Sequence, residues 1–218
     1  MKKKCANCGL VNFPDAAACL KCKADLIETA NIENVDKTLK SRVLTRALIC
    51  ACVCVAVFLG FYFSLVVSAH SLSIDQKYSV RRAIGVLKEK GFSDHAFLLE
   101  NLTVFRSDDN WFNASVTKEN AYAATNFPFE IMTLYGDFFT YPIDDTERAA
   151  ILLHEAEHLK GKNEHDAYEF VWKHRQQLGW IKEKYVQSPV WQNIRKQTLD
   201  YAPKLFICDF NEFADCTE

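Results

Sequence analysis

Residues 152–170 read LLHEAEHLKGKNEHDAYEF, and the fold turns on whether this stretch is a metal-binding hairpin or only a charged one. His154 and His158 are four residues apart, so on a helix they share one face about 6 Å apart along the axis and both reach one metal ion. Glu155, beside the first histidine, is placed to work on a water at that metal without being a ligand. Ala149, Ala150, Ile151, Leu152, Leu153, Ala156 and Leu159 make the helix largely apolar, and glutamates on a buried helix need a reason. Gly161 suits a helix stop, Asn163 the cap of a second helix, and Glu164 its first turn. A catalytic zinc takes three protein ligands and leaves a position for water. Glu164, His165 and Glu169 are the candidates for the third ligand.

The flanking sequence supplies the rest of a domain. From Asp144 onward the pattern predicts helices near 145–160 and 164–178, and a third started by Ser188-Pro189, an N-cap followed by proline at the first helical position. Upstream, DQKYSVRRAIGVLKEKG (75–91) spaces Tyr78, Val80, Ile84 and Leu87 helically and ends on glycine. Residues 97–105 and 127–140 are rich in aromatic and branched side chains and read as strands, separated by the polar SDDNWFN (107–113). The expected class is α+β: a mixed sheet, an active-site helix and a helical C-terminal part. Trp172, Trp180 and Trp191 read as packing residues, and His70, His95 and His174 carry no motif context.

Ahead of this domain, residues 47–69 (ALICACVCVAVFLGFYFSLVVSA) carry no charge. That length is enough to cross a hydrocarbon core of about 30 Å at about 1.5 Å per residue. The stretch is apolar on every face, which a buried core helix would need a far larger protein to cover. A signal peptide cleaved after Val67-Ser68-Ala69 is the alternative, but the run is too long and begins too late. Cys50, Cys52 and Cys54 inside it read as small apolar residues.

Lys37, Lys40, Arg42 and Arg46 precede the run closely, whereas Lys77, Arg81 and Arg82 lie further beyond it. The positive-inside bias therefore favours a cytoplasmic N-terminus and a C-terminal domain in the periplasm or outside the cell. The net charge is −2, with nine Lys/Arg against five Asp/Glu in residues 1–46. No basic stripe is present, so nucleic acid is not an expected partner. Cys208 and Cys216 form an isolated pair that would suit a disulfide on the oxidising side.

At the N-terminus CANCGLVNFPDAAACLKC places Cys5, Cys8, Cys19 and Cys22 as two CxxC knuckles. Four such thiolates close one tetrahedral zinc, and a segment too short for a core uses the metal as its core. Residues 5–22 resemble the short zinc-ribbon modules found at the N-terminus of many bacterial membrane proteins. Such modules serve structure or interaction, which implies a protein partner for the ribbon. The expected organisation is a zinc ribbon at 1–24, a linker at 25–46, a transmembrane helix at 47–69 and a globular domain at 70–218.

Residues 150–170 resemble the HExxH zinc metallopeptidases, or zincins, in two overlapping ways. In one branch HExxHxxG is followed at once by a third ligand, and here Gly161 leads to Glu164. In the other a second helix carries NExxA, matched by Asn163-Glu164-His165-Asp166-Ala167. Two departures stand out: Glu157 is charged where the motif is usually uncharged, and the return from His158 to Glu164 is short.

The resemblance implies a catalytic zinc on His154, His158 and Glu164, with Glu155 as the base that deprotonates a zinc-bound water. It also implies a polypeptide substrate added to an edge strand at 127–139, and an oxyanion donor among Tyr168, His165, Tyr185 and Tyr201. The function expected is a membrane-anchored zinc metallopeptidase holding one catalytic and one structural zinc. The alternative from another class is a non-enzymatic zinc-binding membrane adaptor whose HExxH site is structural. A closed four-ligand centre would favour the adaptor, and three ligands facing a cleft would favour hydrolysis.

Overall fold

The computed structural model of the chain describes residues 2–26, 32–115, 122–209 and 214–217, with backbone alone at 32–40 and 115. Residues 27–31 of the expected linker, and the side chains of Lys37 and Lys40, lie outside the described residues. The chain forms two compact units, Met1–Val57 and Phe58–Glu218. The architecture is α+β, as expected.

The first unit opens with β1 (Lys3–Lys4) and β2 (Val11–Asn12), paired antiparallel. Its only core among the described residues consists of Cys5, Cys19 and Leu26, with Cys8 and Cys22 packed against them. So small an apolar cluster cannot offset the entropy of ordering some twenty residues, and the cysteines must supply the missing cohesion.

Helix α1 spans Ile32–Val67, beginning ahead of the apolar run and ending just short of its predicted limit. Residues 32–46 contain neither glycine nor proline, so nothing stops the helix before it reaches the charge-free stretch. Its Ser41–Val67 portion is the one helix among the described residues long and apolar enough to cross a membrane.

The second unit takes in the last turns of α1, with Leu65 fully buried, so this domain begins before the expected boundary at 70. It continues through α2 (Ile74–Glu89), α3 (Ser93–Asn101), β3 (Val104–Arg106), β4 (Ala123–Asn126), β5 (Ile131–Leu134) and α4 (Gly136–Thr140). The chain then forms α5 (Asp145–Leu159), α6 (Glu164–Leu178), α7 (Lys182–Tyr185) and α8 (Pro189–Tyr201). Strand order is β3-β5-β4, with β5 parallel to β3 and antiparallel to β4. Helix α5 is the centre of the unit: Ala149, Ala150, Leu152, Leu153 and Ala156 are fully buried, and α2, α3, α6 and β4 pack around it.

Two sequence expectations are corrected here. Residues 97–105 are not one strand: α3 occupies their first half and β3 only their end. The segment 93–101 has no β-branched residue, and its buried His95, Ala96 and Leu99 follow a helical period. Residues 127–140 are likewise divided. The turn at 127–130, where Glu130 has φ +49°, is followed by β5 and then by α4. Strand β5 is buried along its whole length and lies in the middle of the sheet. The strands at the sheet edges are β3 and β4.

The predicted boundaries of α5, α6 and α8 hold, and local chemistry explains them. Asp144 caps α5 by accepting from the N–H groups of Thr146 and Glu147, at 3.0 and 3.2 Å. Gly161, at φ +76°, lets the chain turn out of α5 where an L side chain would be strained. Asn163 accepts from the Asp166 N–H at 2.9 Å to start α6, and Ser188 with Pro189 starts α8. Trp172 lies 5.2 Å from Trp191, and Trp180 lies 4.8 Å from it, between ring centroids; all three are buried packing residues. Near the C-terminus Cys208 and Cys216 are joined in a disulfide. Beside it, Asp215 forms a buried pair with Arg175 of α6 at 2.9 Å.

Candidate metal centres

In the first unit the two knuckles repeat one geometry. The Gly9 N–H donates to the Cys5 carbonyl and the Lys23 N–H to the Cys19 carbonyl, each at 2.9 Å. Both turns end on a left-handed residue, Gly9 at φ +73° and Lys23 at φ +60°. They bring Cys5 and Cys22 to 3.6 Å and Cys8 and Cys19 to 3.4 Å between sulfurs. Tetrahedral zinc with Zn–S bonds of about 2.3 Å sets its sulfurs about 3.8 Å apart, so the four thiols are arranged as a metal cluster.

Without metal the thiols divide their protons unequally. The backbone N–H of Cys22 leads the groups that bring Cys19 down to about 6. The Leu10 N–H pulls Cys8 down, but its hydrogen bond with Cys19 and burial outweigh that and push it up to about 12. The cluster of Cys5, Cys8, Cys19 and Cys22 can bind a metal such as zinc.

In the second unit, α5 and the start of α6 bring a different set together. His154 Nε2 and His158 Nε2 are 3.1 Å apart, and Glu164 places its two oxygens 3.3 Å from the first and 3.4 Å from the second. For ligand bonds of about 2.0–2.1 Å, tetrahedral geometry requires edges of about 3.3 Å. All three measured edges match.

The His158 Nδ1–H donates to the Lys162 carbonyl at 2.9 Å, which leaves the Nε2 lone pair for the cage. His154 Nδ1 is buried and has no hydrogen-bond partner among the described residues. Burial opposes charge on His158, but Glu164, Glu155 and the Lys162 carbonyl outweigh it and raise its pKa to about 9. The hydrogen bonds from His154 and His158 hold Glu164 well below the ordinary carboxylate range. The two imidazoles and the carboxylate are thus held at ligand spacing.

Glu155 is buried next to this set. Its Oε2 accepts from Thr125 Oγ1 of β4 at 2.7 Å. A cleft of about 520 Å³ opens over the cage, lined among others by Tyr122, Ala124, Phe127, Tyr168, Gln197 and Tyr201. The Tyr168 ring lies 4.2 Å from His154 and stacks on Tyr201 at 5.3 Å between centroids. Its hydroxyl donates to Gln197, and burial pushes its phenol upward.

The other sequence candidates lie elsewhere. His165 pairs with Asp166 at 3.2 Å and Glu169 with Lys173 at 2.7 Å, and neither enters the cage. Tyr185 donates to Asp144 at the start of α5, outside the cleft. Tyr122 and Gln197 line the cleft and were not singled out from sequence, since no local motif marks residues brought in from a strand end and a distant helix.

The unexpected charge at Glu157 has an explanation. Its carboxylate is buried against His95 at 2.5 Å and Lys160 at 2.8 Å. Burial raises its pKa, but Lys160 and His95 outweigh that and leave it lowered. In comparisons with known proteins, no family model, curated protein or solved structure matches this chain.

Proposed function

We propose that the chain is a membrane-anchored zinc metallopeptidase. The observation that carries this reading is the three-ligand cage of His154, His158 and Glu164 facing an open cleft, with Glu155 beside it. The residues suit zinc: their edges are 3.1–3.4 Å, two imidazole nitrogens join one carboxylate, and a cleft lies where a fourth ligand would otherwise close the site. A zinc ion held there would polarise a carbonyl and lower the pKa of an adjacent water to about 7.

The chain's own groups do the rest. Glu155, fixed by Thr125, takes a proton from the attacking water and returns it to the leaving amine. Among the described residues β4 pairs with β5 alone, so its other edge is available to an extended polypeptide that adds as a further strand. The phenols of Tyr122, Tyr168 and Tyr201 line the same cleft and are the donors for a developing oxyanion.

The charge bias around α1 favours a cytoplasmic ribbon, and the Cys208–Cys216 disulfide favours an oxidising compartment for the second unit. On the ribbon, Val11, Phe13 and Leu20 are exposed at 53%, 70% and 63%, a surface suited to a protein partner. The adaptor reading would fit a closed fourth position, and the cleft argues against it.

The test uses the full chain purified in detergent. Two zinc ions per chain, with hydrolysis of casein that a chelator abolishes and added zinc restores, are expected. One zinc per chain, or two without any hydrolysis, would refute the peptidase reading.

A further inference from the structure

We infer that the second unit rests on the bilayer through an aromatic ridge, Trp111 and Phe112, whose ring centroids lie 6.0 Å apart. The occupant of this surface is the interfacial layer of the lipid, and the inference rests on reading α1 as membrane-spanning.

The argument begins with depth. The charge-free Ala47–Val67 portion of α1 is about 31 Å long at about 1.5 Å per residue, close to a hydrocarbon core of about 30 Å. With Arg46 at one boundary, Val67 lies at the other. Phe61 and Ser64 are then about 9 and about 5 Å inside it.

Those two residues are the ones the second unit holds. Trp111 Nε1 donates to Ser64 Oγ at 3.2 Å, and its ring meets Phe61 edge-on at 5.5 Å between centroids. Phe129 lies 5.3 Å from the same Phe61 ring. These side chains therefore reach the level of the acyl boundary whenever α1 spans.

The mounting is rigid. Arg106 Nε donates to the Val66 carbonyl at 3.0 Å, and the Ser107 N–H donates to the His70 carbonyl at 3.0 Å. Asp108 accepts from the His70 N–H at 2.5 Å and contacts its Nδ1 at 2.6 Å. Leu65 is fully buried under these contacts. The helix end is fastened to the domain, which fixes the height of the ridge.

The ridge itself is chemically suited to lipid. Trp111 and Phe112 are 51% and 50% exposed, an unusual extent of adjoining aromatic surface to leave in water. Tryptophan with an apolar body and one polar N–H is the residue of the membrane interface. The neighbouring acids are held back: Asp108 faces His70, and Asp109 accepts from Tyr135 at 2.6 Å.

The test exploits the four tryptophans. Trp172, Trp180 and Trp191 are 1%, 0% and 3% exposed, so lipid-borne quencher can reach Trp111 alone. The full chain is reconstituted in phosphatidylcholine vesicles whose acyl chains are brominated near the headgroup. Clear quenching is expected in the wild type, and Trp111→Phe should lose most of it. Phe112→Trp in that background should restore it, which guards against a variant that merely folds poorly. Flotation after alkaline washing reports spanning separately. A chain that floats with quenching unchanged by Trp111→Phe overturns this inference alone, and a chain that does not float overturns the spanning on which it rests.

Discussion

Replacing Glu155 by glutamine separates proton transfer from metal binding. Glu155 is not a member of the cage; its Oε2 accepts from Thr125 Oγ1 at 2.7 Å. A glutamine amide oxygen can accept the same bond, so β4, α5 and the cleft should keep their positions. What disappears is the ability to accept a proton. General-base groups contribute about 10²–10⁴-fold to rate, or about 3–5 kcal/mol of barrier. Because Glu155 is only 6% exposed, bulk water has little room to take over. The expected loss therefore lies in the upper part of that range, near 10³–10⁴-fold in kcat. KM should change little, since the proposed binding of the substrate backbone along β4 does not involve Glu155. The assay is steady-state hydrolysis of a quenched fluorescent peptide by the full chain in detergent, with zinc measured on the same samples. Turnover within about twofold of wild type, with two zinc ions retained, would refute the assignment of Glu155 as the base.

The remaining expectations concern the frame around the site. Glu164→Ala should lower zinc content from two ions per chain to one; retention of two would move the third ligand to another residue. Asp215→Ala removes the carboxylate that faces Arg175, whose side chain is 2% exposed and keeps its bonds to the Trp172 carbonyl and Thr217. Breaking such a pair costs about 3–5 kcal/mol, or roughly 6–20 °C in Tm for a unit of this size; a shift under about 2 °C by calorimetry would show that the pair is not what holds the C-terminal segment to α6. Asp144→Ala removes the α5 cap and should cost about 0.5–2 kcal/mol in denaturant unfolding. Burial raises the Asp144 pKa, but Lys184 and Tyr185 lead the groups that leave it lowered. Its contribution is therefore present above its unfolded value of 3.8 and is lost as pH falls through the lower folded value. Asp144→Asn should keep the cap and lose that acid sensitivity, and an acid limb unchanged from wild type would contradict this.

What could be read from the chain alone was what short-range chemistry encodes. The hairpin of α5 and α6 is set by apolar periodicity, a left-handed Gly161 and the Asn163 cap, all within a dozen residues of one another. The grouping of His154, His158 and Glu164 was legible for the same reason, because i and i+4 on one helix and the first turn of the next define a small cage without reference to distant parts. The sheet was not legible in this way. Its strands have three or four residues each, and the parallel pairing of β3 with β5 joins segments that have β4 between them in the chain. Aromatic richness then misled twice. Phe97 lies on a helix, and Phe127 and Phe129 stand in a turn, because their rings answer to the cleft and to α1 rather than to strand pairing.

Glu157 shows how a departure from a motif follows from the fold. Glu155 and Glu157 are about 200° apart around α5, at about 100° per residue. One therefore faces β4 and the cleft while the other faces His95 of α3 and Lys160 at the end of α5 itself. A carboxylate at this depth without partners would cost several kcal/mol. Lys160 is three residues on along the same helix, whereas His95 is 62 residues away in sequence, a partner no local reading could supply. In the folded chain Glu157 ties α3 to the helix that carries both histidines, and it does so on a face from which its charge does not enter the cage. The extra glutamate is therefore compatible with a metal site on His154 and His158, because the second acidic side chain of HEAEH is held by Lys160 and His95 on the far side of the helix.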